Sequence, residues 1–149
     1  MYHAALAALL AAGGAAVNGA AVAPVAAQGA SDDKEDRGYL LRMGLVLDGS
    51  RRLLSWLERH ARDRELARFA HPAAEHYVKL AGRALPTRRL AIAHPHLLLI
   101  VENVERATHA VASGDRDGFD RRVRTVHDEL ALLRSVLENL RVKLPELPR

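Results

Sequence analysis

The stretch "FDRRVRTVHDELALLRSVLENLRVKL" (Phe119–Leu144) decides the fold of this chain. Its apolar residues Phe119, Val123, Val126, Leu130, Leu133, Leu137, Leu140 and Leu144 alternate spacings of four and three without a break. At about 3.6 residues per turn this keeps one stripe of side chains on one side of a helix, suited to packing on neighbours at a shallow angle. Asp117 is placed to cap the start, with Asp120 in the first turn where the helix dipole favours an acid. Pro145 and Pro148 mark the end.

Working outward, the same alternation recurs three times. Tyr39, Met43, Val46, Ser50, Leu53, Leu57 and His60 form a first seam. Leu66, Ala70, Ala73, Tyr77, Leu80 and Ala84 form a second, interrupted near its start by Pro72. Leu97, Val101, Val104, Thr108 and Val111 form a third, beginning at Pro95. The connections "ARDRE", "LPTRRLAIA" and "SGDRDG" are short, which forces consecutive helices to run antiparallel. The pattern therefore predicts an all-α, up-down-up-down antiparallel four-helix bundle over residues 38–144, with 145–149 as a C-terminal tail.

Composition agrees with that class. Apolar residues make up 49% of the chain, charged residues 27% and aromatics 4%, so the core is built from Leu, Val and Ala. The absence of cysteine excludes disulfides, thiolate metal sites and C-x-x-C-H haem attachment. The net charge of +4 is carried by bases interleaved with acids, a solvated surface rather than a tract for polyanions. With few aromatics as well, nucleic-acid binding is not expected.

The first thirty residues, "MYHAALAALLAAGGAAVNGAAVAPVAAQGA", contain no Asp, Glu, Lys or Arg and give way abruptly to "SDDKEDR". This is the composition of a secretory signal peptide. Cleavage after Ala27 puts Val25 and Ala27 at the positions a signal peptidase reads, and residues 28–37 are expected as a disordered tail of the mature chain. A membrane anchor fits less well, because Ala and Gly are weakly apolar and Asn18 interrupts the run. The reading predicts a periplasmic or secreted protein with no stable membrane insertion after cleavage.

Two copies of Ala-His-Pro, at 70–72 and 93–95, allow two readings. As punctuation, Pro72 and Pro95 take the first helical position and His71 and His94 become the caps. As chemistry, alternating helix directions gather His60, His71 with Glu75 and His76, Glu105 with His109, and His127 with Asp128 near one pole, leaving His94 and His96 at the other. Imidazoles and carboxylates from several helices are how bundles hold zinc, copper or iron, and the candidate ligands are His60, His71, Glu75, His109 and His127. Continuing the heptads, His60 falls on its seam and His127 at the flank, whereas His71 and His109 point toward water. Met43 could pair with a histidine on haem iron, but His127 is expected at the opposite end of the bundle.

"YLLRMGLVLDGSRRLL" followed by "FAHPAAEHY" resembles a set of exported helical-bundle proteins of unknown activity that carry Gly-His-Leu in the first helix and His-Pro-x-x-Glu later. Ser50 stands where that first-helix histidine would be. The resemblance implies export and a helical bundle, and no activity. His71-x-x-x-Glu75 also looks like one fragment of the hemerythrin pattern, but the His-x-x-x-His and His-x-x-x-x-Asp that complete it are missing.

No Gly-x-Ser-x-Gly elbow or phosphate-binding loop is present. The expectation is a non-enzymatic exported binding protein with a copper, zinc or iron ion at one pole, or otherwise no cofactor. The alternative is an interaction module, either a homodimer or a partner of another exported protein. Leu40, Leu41, Leu45 and Leu47, and the run Leu97–Val101, spread beyond single seams and suggest a second contact surface.

Overall fold

The computed structural model describes residues 25–145, with side chains from Asp33 onward. Most of the expected signal peptide lies outside the described residues. Four helices follow one another: α1 (Val25–Arg59), α2 (Arg64–Arg83), α3 (His94–Ser113) and α4 (Arg116–Asn139). Among the described residues no helix is long and apolar enough to cross a membrane.

The helices alternate in direction, as contacts along their lengths show. Gly49 of α1 faces Tyr77 of α2, His71 of α2 faces Glu105 of α3, and His96 of α3 faces Glu129 of α4. Tyr39, near the start of the paired part of α1, meets His94 at the start of α3, so α1 and α3 run parallel. The molecule is a four-helix bundle in the expected order.

Its neighbour relations depart from an ideal square. α3 packs extensively on α2 and α4 and also takes α1 across the diagonal, whereas α1 and α4 barely approach one another among the described residues. The cause is visible in burial. α3 hides Leu97, Ile100, Val101, Asn103, Val104, Ala107, Thr108, Ala110 and Val111, almost its whole circumference, and so serves three neighbours at once. Its broad apolar run is consumed inside the monomer, leaving only Leu99 of that run exposed.

The expected seams of α1, α3 and α4 are largely the buried ones. α1 hides Tyr39, Met43, Val46, Ser50 and Leu57, and adds Leu40, Leu47 and Leu54 as a second stripe seven residues apart. α2 differs. Its buried residues are Ala67, Ala74 and Ala81, while Ala73 and Leu80 are exposed. The helix is rotated about one residue, roughly 100°, from the expected seam. Small side chains at a seven-residue repeat let its backbone approach its neighbours, and the larger Leu66, Tyr77 and Val78 close the edges.

Helix ends also correct the sequence reading. α2 starts at Arg64, capped by Asp63, whose Oδ1 accepts the Leu66 N–H at 2.9 Å. Pro72 therefore lies inside α2, and His71 is not a cap; the missing Pro72 N–H leaves the Arg68 carbonyl without its helical donor. α3 starts with His94 inside the helix and Pro95 next to it, after a cap at Ala93. Only the second Ala-His-Pro is a helix start. α4 is capped by Asp115, which accepts the Gly118 N–H at 2.8 Å, and Asp117 falls in the first turn.

Left-handed residues close α3 and α4. Gly114 (φ 82°) ends α3, with the Asp115 N–H reaching back to the Ala110 carbonyl at 2.8 Å. α4 stops before its prolines: Arg141 (φ 54°) turns the chain, and the Val142 N–H bonds the Leu137 carbonyl at 2.9 Å.

At the lower end Asp36 accepts the Thr87 hydroxyl and the Arg89 guanidinium, and Arg89 also donates to the Leu140 carbonyl at 2.9 Å. One network joins α1, the α2–α3 connection and the end of α4. It also helps explain why residues 28–37, expected as a disordered tail, belong to α1: Asp36 is buried within this network.

Candidate functional site

The five candidate ligands fall in three places rather than one. His71, Glu75 and His109 come together on the outer α2–α3 face, joined by Glu105. His71 Nε2 lies 3.4 Å from Glu75 Oε1 and 3.6 Å from Glu105 Oε1, and its ring centroid is 6.0 Å from that of His109. His60 sits just past the end of α1, its Nδ1 2.8 Å from the Trp56 carbonyl and its ring stacked on the indole at 4.9 Å. His127 projects from α4 toward α1, with Nε2 3.6 Å from Glu58 Oε1.

Helix length and register account for the split. α2 begins two turns before Pro72, which sets His71 about 10 Å below the helix end. The rotation of α2 also turns His71 inward: its side chain is 28% exposed rather than facing water. His127 lies eleven residues into α4, about 16 Å from its start, on the side facing α1 rather than α2. His76 is exposed beside Tyr77, and Asp128 is exposed on α4.

Among the described residues no three His, Asp or Glu side chains form a group that could hold a metal ion. The α2–α3 array is a set of polar pairs, with Glu75 shared between His71 and Lys79, the latter at 3.5 Å. His71 Nδ1 is buried and has no hydrogen-bond partner among the described residues. A ligating histidine ordinarily donates its second ring nitrogen to an orienting acceptor.

At the opposite pole the Tyr39 hydroxyl lies 3.0 Å from His94 Nδ1. Burial pushes the Tyr39 pKa up to about 12 and lowers that of His94, so both groups favour their neutral forms and share one hydrogen bond. His96 Nδ1 meets Glu129 Oε2 at 2.8 Å and ties α3 to α4. Met43 is fully buried and His127 exposed, so they do not share an iron.

Two surfaces go beyond the sequence reading, one in part and one wholly. One is an apolar patch on the α1–α2 face. The register set by Gly49 opposite Tyr77 brings Leu45 level with Leu80, and Leu41 toward the end of α2, which Leu85 follows. These leucines are exposed by 47% (Leu41), 55% (Leu45), 41% (Leu80) and 82% (Leu85), and Leu85 shares a cavity wall with Gly38 and Arg42 of α1. The sequence marked Leu41 and Leu45, but Leu80 was assigned to the core. The second is the gap between α1 and α4, rimmed by Arg51, Arg59, Arg124 and Arg134. No sequence signal gathers those arginines; only the lean of α1 onto α3 does.

Comparison with protein-family models, with curated proteins and with solved structures finds no match to this chain, so its functional reading rests on its own geometry.

Proposed function

We propose that this protein is an exported, non-catalytic interaction module that pairs with a second copy of itself through the α1–α2 face. The observation that carries this reading is the group of four exposed leucines, Leu41, Leu45, Leu80 and Leu85, at one end of that face. A monomer gains nothing from holding large aliphatic side chains together in water, where burying each one is worth about 1.5–3 kcal/mol. Lys34, Glu35 and Arg42 flank the patch with both signs of charge, so a two-fold arrangement can set acid against base. The uncharged, alanine-rich N-terminus supports export.

Sedimentation at increasing concentration tests the pairing. The full chain is expected to shift from monomer to dimer, and Leu45→Glu to stay monomeric with unchanged helical content. A wild-type monomer at every concentration, or a Leu45→Glu dimer, overturns the reading.

A second reading, in which a copper, zinc or iron ion would have to draw His71, Glu75, Glu105 and His109 into a ligand group that they do not form as they stand, is favoured by one observation. The 3.4 and 3.6 Å separations around His71 Nε2 are close to the roughly 3.3 Å between ligand atoms in a tetrahedral zinc site. Calorimetric titration with zinc is then expected to give one site per chain that is lost in His71→Ala and kept in His127→Ala. Absence of stoichiometric uptake, or equal loss in both variants, rejects it.

A further inference from the structure

We propose that the cleft between α1 and α4 is a docking groove for an acidic amphipathic helix of another protein. The bundle closes its other seams, but α1 leans on α3 and leaves this one open. Two cavities of about 740 and 360 Å³ lie along the opening, with Glu58 in the lining of both. Along α4 the opening runs from Arg116 to Arg134, about 27 Å, which accommodates a helix of about eighteen residues. A small molecule has no use for a trough of that length.

The lining gives the chemistry of the occupant. Leu54, Val123 and Leu130 supply an aliphatic floor between the helices. The rims carry six arginines against three carboxylates. Each carboxylate is already engaged: Asp48 with Arg52 at 2.8 Å, Asp120 with Arg116 at 3.3 Å, and Glu58 with His127 at 3.6 Å. Arg51, Arg59, Arg124 and Arg134 have no carboxylate within ion-pair distance among the described residues. Guanidinium groups above an apolar floor match a helix with an aliphatic stripe flanked by glutamate or aspartate. Single-stranded nucleic acid fits less well, since the groove's aromatic residue, Phe119, is 2% exposed and offers no stacking surface.

The groove shares no lining residue with the leucine patch, so either proposal can fail alone. The test measures fluorescence anisotropy of the full chain with a labelled peptide of about eighteen residues, leucine on one face and glutamate on both flanks. Its controls are the lysine-for-glutamate peptide and an oligonucleotide of equal charge. Saturable binding of the acidic peptide is expected, weakened by added salt and at least tenfold by Arg51→Glu with Arg134→Glu. Arg88→Glu at the far pole and Leu45→Glu on the α1–α2 face are expected to leave it unchanged. The proposal is overturned by no saturable binding, by equal binding of the lysine peptide, by preference for the oligonucleotide, or by indifference to the double charge reversal.

Discussion

At the scale of single residues, the pair of buried Tyr39 and half-buried His94 holds a pH dependence. Burial depresses the His94 pKa in the folded state, while in the unfolded chain the imidazole titrates near its ordinary value of about 6.5. The unfolded state thus binds more protons in the window below that value, and the associated stability is complete above it and lost as pH falls through the folded value. Tyr39 has the opposite sense: its raised pKa contributes stability below the ordinary phenol value, lost as pH rises through about 12. The thermal midpoint is therefore expected to fall as pH drops below about 6.5, and His94→Gln, which can still hydrogen-bond the Tyr39 hydroxyl, is expected to flatten that fall. An equal fall in the variant assigns the effect elsewhere. Among polar seam residues, Thr108 bonds back to the Val104 carbonyl at 2.8 Å as its residue type suggests, whereas Ser50 Oγ is buried with no partner among the described residues. Residue type alone does not separate the two.

At the scale of elements, three of the four seams were readable because large aliphatic side chains repeat at the helical period. α2 was not, because its contact face is alanine and its leucines lie at the edges; a reading weighted by side-chain size picks the wrong stripe. Pro72, which proline's preference for the first helical position offers as a helix start, lies inside the helix. Asp63 in fact begins the helix, and the chain continues through the proline with one helical hydrogen bond fewer. Packing of α1 on α2 makes a prediction whose sign opposes helix propensity. Gly→Ala inside a helix ordinarily stabilises by about 0.5–1 kcal/mol. At Gly49 an added Cβ would sit 2.7 Å from Tyr77 Cε1, so the ring must leave its seat. Gly49→Ala is expected to destabilise by about 1–3 kcal/mol. Gly82→Ala, where nothing lies within 4 Å, is expected to stabilise slightly. Urea denaturation of the two variants checks this, and a stabilised Gly49→Ala contradicts the close α1–α2 approach.

At the scale of the whole molecule, helix order and direction followed from seam and loop lengths, but the relative closeness of the helices did not. Alternating directions do place His60, His71 and His127 in one half of the chain's architecture. Depth along each helix and the face each residue occupies then separate them, and neither was fixed by sequence spacing. The excess of apolar residues on α1 and α3 looked alike in sequence and has two different outcomes: α3 spends its share on three neighbours, whereas Leu41 and Leu45 of α1 stay in water, as do Leu80 and Leu85. The proposed pairing of two copies rests on that difference. Because the chain has no cysteine, a single introduced thiol reports its surroundings without interference. The most direct test is cross-linking of Leu45→Cys with a short bismaleimide, beside Arg121→Cys on the exposed side of α4. Capture of a covalent dimer by Leu45→Cys alone is the predicted result; no dimer at position 45, or equal capture at both positions, would contradict it.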